Sequence, residues 1–387
     1  MSRKIAPIVI TTMVIFFFSC KEEKKIQEKP NALTLEQKIG QMIMVGFRGT
    51  EITENTPIYK MISDYNIGGV VLYSRDLPSK EKEKRNVSSP SQLKKLNQDL
   101  QAINKNKLLI AIDEEGGFVT RLSVDNGFQY HKSHQTIGAI ANLDSTKLWA
   151  ANMAEELAEL GINMNFGPVI DLNINPKNPI IGARERSFSD KLDVVISNSE
   201  IFIKEHNTNN IVCVPKHFPG HGSSASDTHK GLADVTNTWS KKELIPFKKL
   251  IEDNSINVVM TSHVYNENLD TLPATLSPKI IKELLRKDFG FEGIIMSDDM
   301  QMRAISNFYD FETAIEKAIL AGVDILLFSN NAAPCEENIS DCVEIPFDTE
   351  IAKRAIKHVI TLVKEGKVSE KRINESYQRI LKLKTQL

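Results

Sequence analysis

The sequence predicts an α/β chain closed into a single (β/α)8 barrel of the TIM type. Three observations predict it: eight short apolar runs, amphipathic stretches between them, and the absence of a Gly-rich phosphate loop. Continuous apolar strands alternating with helices indicate a parallel sheet covered on both faces. The competing architecture, an open doubly wound sheet, would usually carry G-x-G-x-x-G or G-x-x-x-x-G-K-[ST] after an early strand, and neither occurs.

The elements follow in order. Thr34 with Gln37 three residues on reads as a capping box, opening a helix that leads into Met42-Ile43-Met44-Val45. Further runs are residues 69–72, 108–112, 165–170, 211–214, 258–260, 293–296 and 324–328. Between them lie stretches of helical period such as Trp149 to Leu160 and Lys279 to Lys287. The charged segment Lys80 to Ser91 and the segment Asn330 to Pro346 read as surface loops. Two helices close the chain, Asp348 to Glu365 and Ser369 to about Lys384, with Gly366 as a C-cap. The barrel with these helices occupies residues 34–387, and no residues remain for a second domain.

The 387 residues, 41% hydrophobic and 25% charged, supply a large core. A formal net charge of -2 gives no electrostatic reason to expect nucleic-acid binding. The N-terminus differs from the rest: Arg3 and Lys4, an uncharged run from Ile5 to Phe18, then Ser19-Cys20. This is the layout of a signal peptide over residues 1–19, and the run is shorter than the roughly 20 residues of a membrane span. Phe17-Phe18-Ser19-Cys20 resembles a bacterial lipobox, with Phe17 where Leu is usual. An acylated Cys20 would anchor an exported protein to the periplasmic or outer face of a membrane, residues 20–33 forming a charged tether. Cys213, in an apolar run, reads as a core residue. Cys335 and Cys342 flank a polar loop and are close enough in sequence for a local disulfide, or for two free thiols.

In such a barrel the active site forms at the C-terminal ends of the strands. There the chain places Asp113-Glu114-Glu115-Gly116-Gly117, Asp171, Lys216-His217, Ser262-His263 and Ser297-Asp298-Asp299. After strand five comes Lys216-His217-Phe218-Pro219-Gly220-His221-Gly222, followed by Asp227-Thr228-His229. A carboxylate two residues before an imidazole can fix its tautomer and raise its basicity, as in acid/base dyads. A simple side-chain-stabilised turn is the better account of Asp227 and His229 taken alone.

The Lys216–Gly222 segment resembles a signature of the glycoside hydrolase family 3 β-N-acetylhexosaminidases. Asp113-x-Glu115-Gly116-Gly117 with Arg121, Arg186-Ser187-Phe188-Ser189 and Ser297-Asp298-Asp299-Met300 agree in order and spacing, so the resemblance covers roughly residues 35 to 385. It implies a retaining enzyme in which Asp298 attacks the anomeric carbon and His229, oriented by Asp227, serves as acid/base. Asp299 would be structural. Asp113 would accept from sugar hydroxyls, while Arg121, Arg186, Lys216 and His217 donate to hydroxyls and the acetamido group. His221 and His263 would be rim or core histidines. Phe118 stands where the family commonly has Arg, and Arg184 competes with Arg186 for the motif arginine. Neither departure touches Asp298 or His229.

The implied substrate is terminal β-linked N-acetylglucosamine on peptidoglycan fragments, chitin-type oligosaccharides or other glycans. No cofactor is expected, and a monomer is the simplest assembly. Three alternatives remain. A metal-dependent barrel hydrolase would use His217, His221, His229 and His263, but the H-x-H usual after strand one is replaced by Val45-Gly46-Phe47-Arg48. A lipid-anchored sugar-binding protein would have lost the chemistry that Asp298, Asp227 and His229 carry. Within the enzyme reading, phosphorolysis and an acetamido-assisted mechanism are variants, because a neutral histidine does not repel phosphate.

Overall fold

Eight short strands carry the architecture: β1 Ile43–Gly46, β2 Gly69–Leu72, β3 Leu109–Ile112, β4 Met164–Asn165, β5 Val212–Cys213, β6 Val258–Met260, β7 Ile294–Met296 and β8 Leu326–Phe328. This computed structural model describes residues 33–79, 83–104, 106–335 and 342–387. All pairings between strands are parallel, in the order β5-β4-β3-β2-β1-β8 with β6 beside β7. Single bridges Phe218↔Thr261 and Met296↔Ile325 join the two groups, closing a (β/α)8 barrel. Every strand residue is buried, as expected when side chains fill the barrel on one face and helices cover the other.

The helices form where periodicity and caps predict. Thr34 caps Leu35–Gln41 with both bonds of the capping box in place. Helices Leu143–Glu159 and Leu192–Thr208 pack against each other, with the Trp149 and Phe202 rings 5.3 Å apart and Thr146 Oγ1 donating to Asn198 Oδ1 at 2.6 Å. Helix Lys279–Asp288 is wound in wide, i to i+5 turns. The last two helices, Ile351–Lys364 and Glu370–Lys384, are separated by Gly366 in the left-handed region at φ +74°. Below the barrel the final helix is pinned by ions. Buried Asp324, at the entry of β8, pairs with Arg286, Arg372 and Arg379, and buried Lys384 donates to Gln41 Oε1 and the Gly68 carbonyl, each at 2.7 Å.

Two sequence expectations change. The fourth run is a regular strand only over Met164–Asn165, because Pro168 has no N–H for the ladder. The chain reaches Asp171 through the single bridge Val169↔Lys216. The segment Lys80 to Ser91 is not all surface. Arg85, Asn86 and Val87 are buried, Arg85 pairing with Asp76 and donating to the Asn330 carbonyl at 2.7 Å, which ties the β2 loop to the β8 loop. A charged side chain buried with partners looks in sequence like an exposed one. Cys335 and Cys342 are joined in a disulfide with a Cα–Cα distance of 5.8 Å. The signal-peptide, lipobox and tether segments lie outside the described residues, apart from Leu33. Among the described residues no helix is long and apolar enough to cross a membrane.

Candidate active site

The polar residues expected at the strand ends do converge on one rim, in two sets that differ in burial. The first is a buried ion network between the β3, β4 and β5 ends. Asp113, directly after β3, accepts from Lys216 Nζ at 2.7 Å and Arg121 Nη2 at 3.1 Å. Glu115, two residues on, takes Lys216 Nζ at 2.7 Å and a two-pronged contact from Arg186, Nε at 2.7 Å and Nη2 at 2.8 Å. The Arg186 Nη1 group donates to the Ile180 carbonyl at 2.9 Å. Arg186, 9% exposed, is the arginine that enters this network, and Arg184 is exposed. Lys216 and Arg186, expected as donors to the sugar, have their donors engaged mainly by carboxylates, which they hold in position.

Burial would raise both carboxyls of this network. The Lys216 and Arg121 charges outweigh it at Asp113, and the Arg186 and Lys216 charges at Glu115, so both are held below their ordinary values. Between them in sequence, Glu114 points the other way. It accepts from Thr120 Oγ1, the Arg121 N–H and the Leu122 N–H, at 2.9, 2.9 and 3.3 Å, and so clamps the loop that delivers Arg121. Its burial pushes it up to about 7, against which these hydrogen bonds and the His131 charge do not suffice.

Asp171 organises the next station. Fully buried, it accepts from His217 Nδ1 at 2.7 Å and from the His221 backbone N–H at 2.9 Å. Burial raises its pKa, but the nearby His217 ring outweighs that and keeps it low. Arg186 Nη2 lies 3.3 Å from His217 Nε2. A guanidinium can only donate, so Nε2 accepts and the ring proton sits on Nδ1, facing Asp171. In this tautomer His217 offers an acceptor where a donor to substrate was expected. The turn that follows requires glycine. At Gly222 a Cβ would lie 1.7 Å from the Leu172 carbonyl, and Gly220 has φ +120° against Glu243.

The second set is built around one exposed histidine. In the loop after β5, His229 Nδ1 meets Asp227 Oδ1 at 2.8 Å, and the His229 N–H donates to the same oxygen at 2.8 Å. The His229 side chain is 62% exposed. Partial desolvation works against its charged form, but the Asp227 hydrogen bond and the Asp227 and Asp298 charges outweigh it and raise its pKa. Asp298 follows β7 and accepts the Asp299 N–H at 2.8 Å. Burial raises its pKa, while the imidazoles of His263, His217 and His229 more than compensate and favour the carboxylate. Asp299 accepts from the Ser329 and Gln301 N–H groups at 2.8 and 3.1 Å, joining the β7 and β8 loops, as a structural carboxyl would. His263 is buried with both ring nitrogens engaged, by Thr275 and the Asp299 carbonyl. His221 is buried, and its Nδ1 has no partner among the described residues.

Sequence reasoning assigned no role to Asp171 or Glu115, although both stood at quoted strand ends, and it overlooked Tyr73 after β2. Among the described residues no group of three or more His, Cys, Asp or Glu side chains is arranged to hold a metal ion.

A carboxylate after β7, coupled electrostatically to a carboxylate-oriented imidazole on the β5 loop at the mouth of a barrel, is an arrangement suited to hydrolysis, and sequence comparison agrees. Residues 34–383 match the family model described as the glycosyl hydrolase family 3 N-terminal domain, so the chain belongs to that family. A beta-hexosaminidase A of Pseudoalteromonas piscicida is 30% identical over 92% of this chain, which spans 62% of that protein's length. A beta-hexosaminidase of Nitrosomonas eutropha is 32% identical over 76% of this chain and 82% of its own. Among solved structures, a family 3 beta-N-acetylglucosaminidase from Paenibacillus superposes with a TM-score of 0.79 at 34% identity, covering 92% of this chain and 63% of that one. A beta-N-acetylhexosaminidase from Beutenbergia cavernae superposes with a TM-score of 0.78 at 26% identity, covering 92% and 99%.

Proposed function

We propose that this protein is a retaining β-N-acetylhexosaminidase. It removes terminal β-linked N-acetylglucosamine from peptidoglycan fragments, chitin-type oligosaccharides or other glycans. The observation that carries the reading is the 2.8 Å Asp227–His229 dyad on the β5 loop, with a His229 pKa raised by Asp227 and by the Asp298 carboxylate. The names of the relatives point to the same sugar.

In the first step an Asp298 carboxylate oxygen bonds to the anomeric carbon as the glycosidic C–O bond breaks. His229 gives its Nε2 proton to the departing oxygen. In the second step neutral His229 takes a proton from water, whose oxygen replaces Asp298 at the same carbon. Two inversions give net retention. Asp227 stabilises the imidazolium of the resting state and keeps Nε2 turned away from itself. Asp113 with Arg121, and Lys216 with His217 and Arg186, form the wall that receives the sugar's hydroxyls and acetamido group.

The deciding assay is release of 4-nitrophenol from the β-N-acetylglucosaminide and the β-glucoside by protein lacking its first nineteen residues, with and without phosphate. Preference for the N-acetyl sugar, with the β-anomer of the free sugar as first product, is the expected result. No turnover of either glycoside would overturn the reading in favour of a sugar-binding protein, and a phosphate requirement would convert it to phosphorolysis. The N-terminal pattern supports export and lipid anchoring at Cys20. Labelling of the full chain with a radioactive fatty acid, lost in Cys20→Ala, is expected, and equal labelling would refute the anchor.

A further inference from the structure

We infer that the Tyr73 hydroxyl is a specificity-determining contact of this site, hydrogen-bonding the C4 or C6 hydroxyl at the end of the pyranose remote from the anomeric carbon. The inference rests on the glycosidase reading above. Its basis is placement. In the parallel β2–β3 pair Leu72 is registered with Ile112, so the next residues, Tyr73 and Asp113, are neighbours at the mouth. Residues registered across a parallel pair point to the same face, so Tyr73 stands beside the carboxylate that the sugar's hydroxyls meet.

The ring is fixed from three sides. Its backbone N–H donates to Asn86 Oδ1 at 3.0 Å, and Arg121 and Arg85 lie 5.6 and 6.0 Å from the ring centroid. On the β1 side, Gly46 leaves the room: a Cβ there would come within 3.3 Å of Tyr73 Cε2. Yet the phenolic oxygen has no hydrogen-bond partner among the described residues, in a half-buried side chain. Burial first, then the Asp299 and Asp113 charges, raise its pKa well above the ordinary value, which keeps the proton in place.

The direction of the sugar follows from topology. Asp298 after β7 and Asp113 after β3 stand four strands apart in a barrel of eight, directly across the mouth. With the anomeric carbon at Asp298, the opposite end of the ring, which bears the C4 and C6 hydroxyls, lies at Asp113 and Tyr73. A neutral phenol can donate to a hydroxyl whose own proton goes to Asp113. A site built to hydrogen-bond a hydroxyl discriminates strongly against a substrate that lacks it.

The test is a cycle of enzyme and substrate changes: wild type and Tyr73→Phe, each on the 4-nitrophenyl β-glycoside of the parent sugar and of its 4-deoxy and 6-deoxy analogues. Phenylalanine keeps the ring, so thermal unfolding should be unchanged. We expect Tyr73→Phe to lose at least tenfold in kcat/KM on the parent and to equal the wild type on one deoxy analogue. A loss under threefold on the parent, or the same loss on all three sugars, would overturn the inference. If the wild type prefers glucosides to N-acetylglucosaminides, the functional reading fails, while the same cycle run on deoxy-glucosides still decides Tyr73.

Discussion

The two halves of the site are built on opposite principles. Around the ends of β3 to β5, Asp113, Glu115, Asp171, Arg186, Lys216 and His217 form a network in which nearly every charge is buried and paired. The Asp227–His229 pair, further along the β5 loop, is held by two hydrogen bonds to one oxygen, with a histidine side chain 62% exposed. The difference separates two jobs. Recognising one stereoisomer needs donors and acceptors that do not move when the sugar arrives. Delivering a proton and then receiving one needs a group whose pKa is near neutral and whose access to water is kept. A fully buried imidazole fails both conditions here, as His221 shows, its pKa pushed down to about 4 by burial.

The largest effects should come from breaking the chemistry that the two halves share. Asp298→Ala removes the proposed nucleophile and should abolish turnover to the detection limit of the nitrophenol assay, a greater loss than His229→Ala, for which about 10² to 10⁴ is expected of a positioned acid/base group. The His229→Ala loss should be smallest on glycosides with acidic leaving groups, which need no proton. An equal loss on all leaving groups would deny His229 the acid role.

Next come two changes whose effects should be reversed in kind. Glu115→Ala leaves the buried Arg186 without its carboxylate partner and Lys216 with Asp113 alone, and about 3–5 kcal/mol of stability should be lost, read in a denaturant melt. Asp227→Asn breaks an exposed pair, so stability should change by less than about 1 kcal/mol. Its effect should appear in the pH profile. Asp227 raises the His229 pKa, and the protonated form is the acid, so the basic limb of kcat/KM should move to lower pH in Asp227→Asn. A stability loss from Asp227→Asn matching that of Glu115→Ala would erase the distinction between the two regions.

The sequence made the barrel and the rim legible because both are periodic or local properties. Apolar runs mark strands, and the residues one to three steps past such a run are at the mouth. Asp113, Lys216, His217 and Asp298 were all readable in this way, and Asp227 with His229 was readable as a two-residue dyad. What was not legible was partnership at a distance. Nothing local to Arg186 says that Glu115, 71 residues earlier, will take its guanidinium. Nothing in a charged stretch says that Arg85 is buried against residues 245 and 246 positions later. Tyr73 was missed for a third reason: in an apolar run a tyrosine reads as core, and only its register with Asp113 turns the hydroxyl toward function.

The smallest effect sharpens the comparison inside the buried half itself. Glu114 and Glu115 are adjacent and both buried, but Arg186 and Lys216 hold Glu115 down, while Glu114, offered only neutral donors, is pushed up to about 7 from an ordinary value of 4.5. A carboxyl whose folded pKa is raised contributes stability in its protonated form. That contribution is fully present below 4.5 and is lost as the pH rises through about 7. Glutamine at position 114 keeps an oxygen for Thr120, Arg121 and Leu122 and cannot ionise. Glu114→Gln should therefore unfold much like the wild type at pH 5 and later than it at pH 8, by an amount on the order of 3 kcal/mol at most, since one pKa unit corresponds to about 1.4 kcal/mol. Glu243, also pushed up to about 7 by burial, is present in both proteins and cancels from the difference. A gap between variant and wild type that is the same at both pH values would mean that Glu114 finds a cation in solution, and that the buried half is more evenly paired than its geometry indicates.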